Sequence, residues 1–458
     1  MKSKKILFAT SEVYPFIKSG GLADVSYALV KESSKTHQID TVLPLYNTID
    51  RELYNITKES DFAITLGEHN YNIELYKTVY EDRLYYFIYE ESLCGNMYGV
   101  DDDIRFAIFS RAIAHMVEIF GYRALHINDW LTALSALWIR ELNLDTKILF
   151  TIHNLAYQGR FGYETLRKIG LDDRYGSFDE LEFYGDINYI KAGIKYSDFI
   201  TTVSANYAKE IMSDGYGLEG MLGEYSDKIT GILNGIDSEL YSPKSSPFLP
   251  KQYRVANSKL AQKRELLKDL PLKVATKPLF VFIGRLVEQK GLELLLQTLP
   301  QMLQEDINVL FVGEGQYSDR LQKIEAKNFY FYDGYSEEFS HRSYAAADFL
   351  LMPSLFEPCG LNQMIALSFG AIPVVTKVGG LVDSVKNYER FDETKPYGYG
   401  IMIDKHTPKS LMSSIKKSIK LYEDNTLYQT IANHNMKLDL SWGESAKKYN
   451  SIYKKLLK

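Results

Sequence analysis

Cations, carboxylates, a histidine and paired glycines gather in a few loops of this chain. Their types suit an anionic, oxygen-rich ligand. In SEVYPFIKSGGLADV (11–25), Gly20-Gly21 stands before a helical pattern, and Lys18 lies two residues upstream. Glycines that open a helix N-terminus let backbone N–H groups approach phosphate or another anion. Lys18 would add a point charge. The same residues also make an ordinary strand–helix turn with a solvated lysine. It is neither a GxxxxGK[ST] loop nor GxGxxG. In HINDW (126–130), Asp129 either caps the following helix or works at a strand end. In TIHNLAYQG (151–159), His153 could donate to a hydroxyl or a forming oxyanion, or be a satisfied structural histidine. IGRLVEQKG (283–291) puts Arg285 and Lys290 in one loop, two cations that suit a diphosphate or merely surface charge. FEPCGLNQ (356–363) sets Glu357 before Pro358, with Gly360-Leu361 opening a helix whose N–H groups can reach ligand oxygens. FVGEGQ (311–316) is a weaker glycine-rich strand end, and VGGLVDSV (378–385) repeats the glycine pair.

These loops need rigid elements beneath them. Short apolar runs at Lys5–Thr10, Ile39–Pro44, Ala124–Asn128, Lys147–Ile152 and Phe199–Val203 read as strands buried on both faces. A second set covers Leu279–Ile283, Val309–Val312, Phe329–Tyr332, Phe349–Met352, Ile372–Val375 and Gly400–Ile403. From Phe106, apolar residues at 106, 109, 113, 116, 117 and 120 form a helical stripe. Strand–helix alternation in both halves predicts an α/β chain with parallel sheets covered by helices. Tyr71–Tyr76 and Arg83–Tyr89 read as an inserted antiparallel hairpin. Such sheets bind ligands at the carboxyl ends of their strands, where these loops lie. The stretch 241–277, with three prolines in YSPKSSPFLPKQYR, reads as a linker.

Composition narrows the class. The chain has 458 residues, too many for one ordinary core; at about 150 residues per domain it would hold two or three. Hydrophobic residues at 45% and charged residues at 24% are those of a globular chain. A net charge of −6 gives no basic excess for nucleic acid or anionic membrane. Cys94 and Cys359 are too few for a disulfide framework or thiolate zinc site and suit a reducing cytosol. The first apolar run, ILFA, is too short for a signal-peptide core, and no stretch nears the ~20 apolar residues of a membrane span. Asp101-Asp102-Asp103 reads as helix capping rather than a metal site, and His115 as solvated. Most of the 35 tyrosines and 23 phenylalanines must be core.

Taken together, KSGGLADV, HINDW, TIHNLAYQG, TTVSANYAKEI, GILNGID, IGRLVEQKG, FSHRSYAAADFLLMPSLFEPCGLNQ and VVTKVGGLVDSV resemble the bacterial glycogen synthase and plant starch synthase family. They occur in the family's order from residue 5 to about 385, and SWGESAKKYNSIY (441–453) resembles its end. The resemblance implies the GT-B fold, two Rossmann-like domains with parallel sheets facing across a deep cleft. The expected domains are 1–240, 241–440 and a helix at 441–458 packing back on the first; 241–277 is expected to contain a hinge for closure on the donor. It also implies retaining transfer of glucose from ADP-glucose to the non-reducing 4-hydroxyl of glycogen or another α-1,4-glucan, in the cytoplasm, without metal or other cofactor. The matching positions make Lys18, Gly20 and Gly21 donor contacts, and Arg285 and Lys290 diphosphate contacts. Glu357 and the segment Cys359, Gly360, Leu361 would meet the glucose, as would Asp129, His153 and Asn234. Tyr335 would lie by the adenine and Tyr98 near the sugar site.

The chemistry agrees. A departing diphosphate needs Arg, Lys and helix N-termini, and sugar hydroxyls need acceptors and donors. Retention leaves double displacement through a carboxylate or front-side attack, and front-side attack is the expectation here. Leu131 replaces the family's frequent His or Gln, and Ile365 stands eight residues after Glu357 where many relatives carry a second glutamate. Competing readings are a related transferase using UDP-glucose or a small acceptor, and a non-catalytic glucan-binding protein. A dinucleotide oxidoreductase is disfavoured by the missing GxGxxG.

Overall fold

The computed structural model describes residues 5–272 and 274–458. The chain divides into two compact units, one running to Asn234 and resuming at Trp442–Lys458, the other spanning Gly235–Ser441.

Among the described residues, the first unit is built on a nine-stranded sheet. Its strands are β1 (Ile6–Ala9), β2 (Ile39–Pro44), β3 (Thr57–Leu66), β4 (His69–Tyr80), β5 (Arg83–Tyr89), β6 (Ala124–Asn128) and β7 (Lys147–Ile152). A small sheet of β8 (Arg160–Gly162), β9 (Glu182–Phe183) and β10 (Asp186–Asn188) precedes β11 (Phe199–Thr202) and β12 (Ile229–Gly231). The order is β12-β11-β7-β6-β1-β2-β5-β4-β3. β1, β2, β5, β6, β7, β11 and β12 pair in parallel, while β3–β4 and β4–β5 are antiparallel. The inserted element is thus a three-stranded meander. β3, TKESDFAITL, is missed by the sequence reading because most of its residues are exposed or half-buried and polar.

The second unit holds a parallel seven-stranded sheet, counted over the described residues, in the order β15-β14-β13-β16-β17-β19-β18. These are β13 (Leu279–Ile283), β14 (Asn308–Gly313), β15 (Phe329–Asp333), β16 (Phe349–Met352), β17 (Ile372–Thr376), β18 (Val385–Asn387) and β19 (Gly398–Ile403). β13, β14, β16 and β17 are buried along almost their whole length, which is why unbroken apolar runs mark them.

The 241–277 stretch is no loose linker over its described residues; residue 273 lies outside them. Tyr241 stacks on His341 with ring centroids 5.0 Å apart, Ser246 Oγ lies 2.8 Å from His341 Nδ1, and the Tyr253 hydroxyl donates to the Phe369 carbonyl. Lys259 and Lys263 follow on a helix with both ammonium groups buried. Lys259 donates to the carbonyls of Tyr344, Ala345 and Phe369, and Lys263 pairs with Asp348 at 2.5 Å. Polar side chains that look solvated in sequence are here satisfied inside.

The helix Gly443–Leu456 belongs to the first unit and packs against the helix Gly21–Ser33. Its Tyr453 hydroxyl sits 2.7 Å from His126 Nδ1, while His126 Nε2 reaches Thr151 Oγ1 at 2.7 Å. Tyr449 stacks on the same imidazole.

Candidate active site

In the first unit the chain leaves β1 at Ala9 and reaches the helix Gly21–Ser33 through the glycine loop. Of the two glycines expected to meet a ligand, Gly20 has its amide already engaged, together with that of Ser19. Glu12 Oε2 accepts from Ser19 N–H at 2.5 Å and from Gly20 N–H at 3.2 Å. Glu12 is buried, and desolvation raises its pKa against the lowering effect of those donors. Lys18 is held by Asp24 of the same helix, Nζ to Oδ1 at 3.0 Å. The Gly21 amide, first in the helix, has no acceptor among the described residues.

Asp129 joins β6 to the helix Trp130–Glu141 with φ of 55°, and its side chain does not cap that helix. Its Oδ1 reaches across to the end of β7, accepting from His153 N–H at 2.7 Å and Asn154 N–H at 3.4 Å. Enclosure by protein pushes the carboxyl pKa up to about 7, opposed by these amides and reinforced by the Glu12 charge. The His153 ring is held neutral, its pKa pushed down to about 3 by desolvation. Asn128 Nδ2 donates to the Ala9 carbonyl, so its Oδ1 faces His153 Nε2 at 2.8 Å and accepts from it. The remaining nitrogen, Nδ1, is therefore an acceptor. The expected side-chain donation to an oxyanion is corrected by this bond; the ring can accept a hydrogen bond from a hydroxyl instead. A Cβ on Gly159 would lie 2.5 Å from the Trp130 ring, so HINDW and HNLAYQG pack as one piece. Leu131 is buried in that helix.

Tyr98 is half exposed in the segment before the helix Asp102–Phe120. Buried Arg105 pins that segment, donating to the carbonyls of Leu93 at 3.0 Å and Asn96 at 2.5 Å and pairing with Asp102 at 2.6 Å. The Asp101 N-cap makes no side-chain cap bond, contrary to the capping reading. Asp102 accepts from Gly99 N–H, and Asp103 from the Thr165 hydroxyl. Among the described residues no group of three or more His, Cys, Asp or Glu could hold a metal. His115 is not simply solvated: it lies on Phe62, ring centroids 4.7 Å apart. Asn234 is buried after β12, and its Oδ1 has no partner among the described residues.

In the second unit, Lys290 and Glu357 meet. Lys290 Nζ donates to both carboxylate oxygens, at 2.9 and 2.6 Å, and Ser354 Oγ adds a bond at 3.1 Å. Glu357 is buried. Lys290 thus brings its charge already paired. Arg285, just after β13, is exposed and makes no ion pair among the described residues. Gln289 Nε2 donates to the Phe356 carbonyl, locking the two loops together.

The second glycine pair has a different task from that expected. A Cβ on Gly379 would lie 2.0 Å from the Glu357 carbonyl oxygen, and one on Gly380 2.2 Å from that of Cys359. Gly380 N–H donates to the Glu357 carbonyl at 3.0 Å. The pair lets two backbones interlock and does not leave an open anion cradle. Gly360 has φ of +70°, and Gln363 Nε2 donates to the carbonyls of Cys359 and Gly360 at 3.0 and 2.9 Å. Asn362 Nδ2 donates to the Ile283 carbonyl at the end of β13. Leu361 precedes the short helix Asn362–Ser368, in which Ile365 is buried. Tyr335 is exposed, its hydroxyl on Glu337. Glu12, Arg105, Gln363 and Asn362 are absent from the sequence reading: each is spent on the backbone of a loop, Asn362 on a strand end far along the chain and the others on nearby turns, and no periodic spacing announces them.

Comparison with known proteins fits this geometry. Residues 5–224 match the starch synthase catalytic domain model and residues 263–436 the glycosyl transferases group 1 model. A glycogen synthase of Aquifex aeolicus is 39% identical over 99% of both chains, and one of Clostridium novyi 38% identical, also over 99% of both. The catalytic domain of starch synthase IV from Arabidopsis thaliana, solved with ADP and acarbose, superposes with a TM-score of 0.90 at 30% identity, covering 99% of each chain. A sucrose-phosphate synthase from Thermosynechococcus elongatus, at 16% identity and a TM-score of 0.63, shares the fold. The chain belongs to the glycogen synthase and starch synthase family of glycosyltransferases, and its two α/β units have the GT-B architecture.

Proposed function

We propose that this chain extends an α-1,4-glucan, taking glucose from ADP-glucose and adding it to the non-reducing 4-hydroxyl with retention. Family membership supports glucosyl transfer from a nucleotide sugar to a glucan, and the ADP bound by the Arabidopsis relative supports the adenine nucleotide. The observation that carries the reading at the residue level is the pairing of half-buried Lys290 with buried Glu357, bound on both carboxylate oxygens and interlocked with Gly379-Gly380.

In this reading Arg285 and Lys290 bind the diphosphate, whose charge grows as the anomeric C–O bond breaks. Glu357 and the backbone of Cys359, Gly360 and Leu361 take glucose hydroxyls, and Lys290 fixes the orientation of the carboxylate. Lys18, Gly20 and Gly21 contact the donor, with the Lys18 ammonium and the Gly21 amide as hydrogen-bond donors, the Gly20 amide being held by Glu12. Asp129, His153 and Asn234 surround the glucose, His153 as an acceptor through Nδ1. Tyr335 lies by the adenine and Tyr98 by the sugar. The departing phosphate takes the acceptor's proton in a front-side attack. Two buried cysteines, not joined in a disulfide, suit the expected cytosolic setting.

The test is transfer of radiolabelled glucose to glycogen from ADP-glucose and from UDP-glucose, with chelator present. Incorporation from ADP-glucose at the higher kcat/KM is expected. Preference for UDP-glucose would reassign the donor, and no incorporation from either would end the proposal. A trapped glucosyl–Asp or glucosyl–Glu adduct would replace the front-side route.

A further inference from the structure

A buried carboxylate among donor contacts calls for a reason. Glu12 is 2% exposed and has no cationic partner among the described residues. Burying a charge without a counterion is costly unless hydrogen bonds offset it. The consecutive amides of Ser19 and Gly20 both donate to one oxygen, Oε2, and the Ser19 hydroxyl is a further donor to the carboxylate. Oε1 instead faces Gly20, 3.7 Å from where a Cβ would stand. A single anion bridging two successive N–H groups sets the backbone direction of that turn. Two groups inherit this direction. Lys18 precedes the bridged amides, with Nζ steadied by Asp24 at 3.0 Å. Gly21 follows them, and its N–H opens a 13-residue helix without an acceptor among the described residues. While Glu12 is seated, the Ser19 and Gly20 amides are closed to any ligand.

We infer that Glu12 is a positioning residue: its carboxylate clamps the Ser19–Gly20 amides so that the Lys18 ammonium and the Gly21 amide are presented to the donor's anionic leaving group. This rests on the proposed donor-binding role of the glycine loop. Glu12 need not touch substrate. Because one oxygen takes both amide bonds, the amide oxygen of glutamine can replace it, whereas alanine removes the clamp.

The experiment is steady-state kinetics of Glu12→Ala, Glu12→Gln, Lys18→Ala and the double variant Glu12→Ala/Lys18→Ala, each with ADP-glucose and glycogen varied in turn. Glu12→Ala is expected to raise KM for ADP-glucose about tenfold while KM for glycogen changes less than about twofold, as for loss of a group acting on donor binding alone. Glu12→Gln should restore most of that loss. The double variant should be more impaired than Lys18→Ala, through the Gly21 amide, but less than the two single losses multiplied together, the non-additivity of residues acting through one another. Should Glu12→Ala fail to fold, Glu12→Asp, one methylene short of the amides, carries the same expectation. A Glu12→Gln variant as impaired as Glu12→Ala would overturn the clamp in favour of a charge effect. Independent, multiplying losses in the double variant would overturn it too. If Lys18→Ala leaves the ADP-glucose KM unchanged, the donor-binding reading of the loop fails; if Lys18→Ala raises it and Glu12→Ala does not, only the inference about Glu12 fails.

Discussion

Asp129 makes this protein's stability depend on pH through one side chain. Its pKa rises from 3.8 unfolded to about 7 folded, first by desolvation. Between these values the folded state binds the extra proton, so this contribution to stability weakens as pH climbs, and the full penalty stands above about pH 7. The groups facing the carboxyl are the His153 and Asn154 amides and the Glu12 charge. Asp129→Asn keeps an oxygen for the amides and removes the titration. Its melting temperature relative to the parent protein should therefore improve from pH 5 to pH 8; a pH-independent difference would reject the argument. The Lys290–Glu357 pair makes a second residue-scale prediction. Lys290→Met leaves a buried carboxylate without its cation, expected to cost about 3 kcal/mol or somewhat more. Lys290→Met/Glu357→Gln should lose less than the two single changes added together. Urea midpoints would show both.

At the scale of elements, the loops work because strand ends hold them against one another. Gly380→Ala would drive a Cβ to 2.2 Å from the Cys359 carbonyl and 2.5 Å from its Cα. Backbone on one side must move, and a shift of about 1 Å at a reacting centre costs on the order of 10²-fold in rate. Transfer activity should fall by that order, and β13–β17 should keep their hydrogen-exchange protection; activity near that of the parent would show that the interlock is not needed. This device was half legible. The glycine pair was visible in the sequence, but its use for backbone contact was not, because Glu357 and Gly379 meet only in the fold. The same holds for strands. β13 and β16 were readable because both faces are buried, and so nearly every residue is apolar. β3 was not, since its exposed polar residues carry no continuous apolar run. Three-residue β12 and β18 are too short for any period to register. Motif residues at strand ends were legible; their partners Glu12, Gln363 and Asn362 were not, since a lone Glu, Gln or Asn is chemically common and only the folded path of the loop brings it to the backbone it holds.

Across the whole molecule, connectivity and compactness disagree, and that has a consequence for stability. The second unit is a continuous insertion, Gly235–Ser441, within a first unit that the chain completes only with its last 17 residues, Trp442–Lys458. Those residues supply the Tyr453 hydroxyl to His126, the Tyr449 ring that stacks on it, and the Ser445 hydroxyl that donates to the Leu233 carbonyl. His126 is wholly buried, and desolvation holds it neutral. Losing a partner from such a group costs about 1–3 kcal/mol, before the apolar surface of the helix is counted. Tyr453→Phe should therefore lower the stability of the first unit by that amount, and truncation after Ser441 should lower it much further. Neither change removes a contact within the second unit, so its sheet should keep its protection. All three tryptophans, Trp130, Trp138 and Trp442, lie in the first unit, which makes fluorescence a reporter of that unit alone. In Tyr453→Phe the fluorescence-detected urea midpoint should fall, while hydrogen exchange of β13, β14 and β16 stays as in the parent protein. In the truncated chain, exchange should accelerate in β6 and in the helix Gly21–Ser33 before it does in those strands. Equal acceleration in both units would mean that they unfold as one, and the C-terminal helix would then stabilise the molecule as a whole and not the first unit in particular.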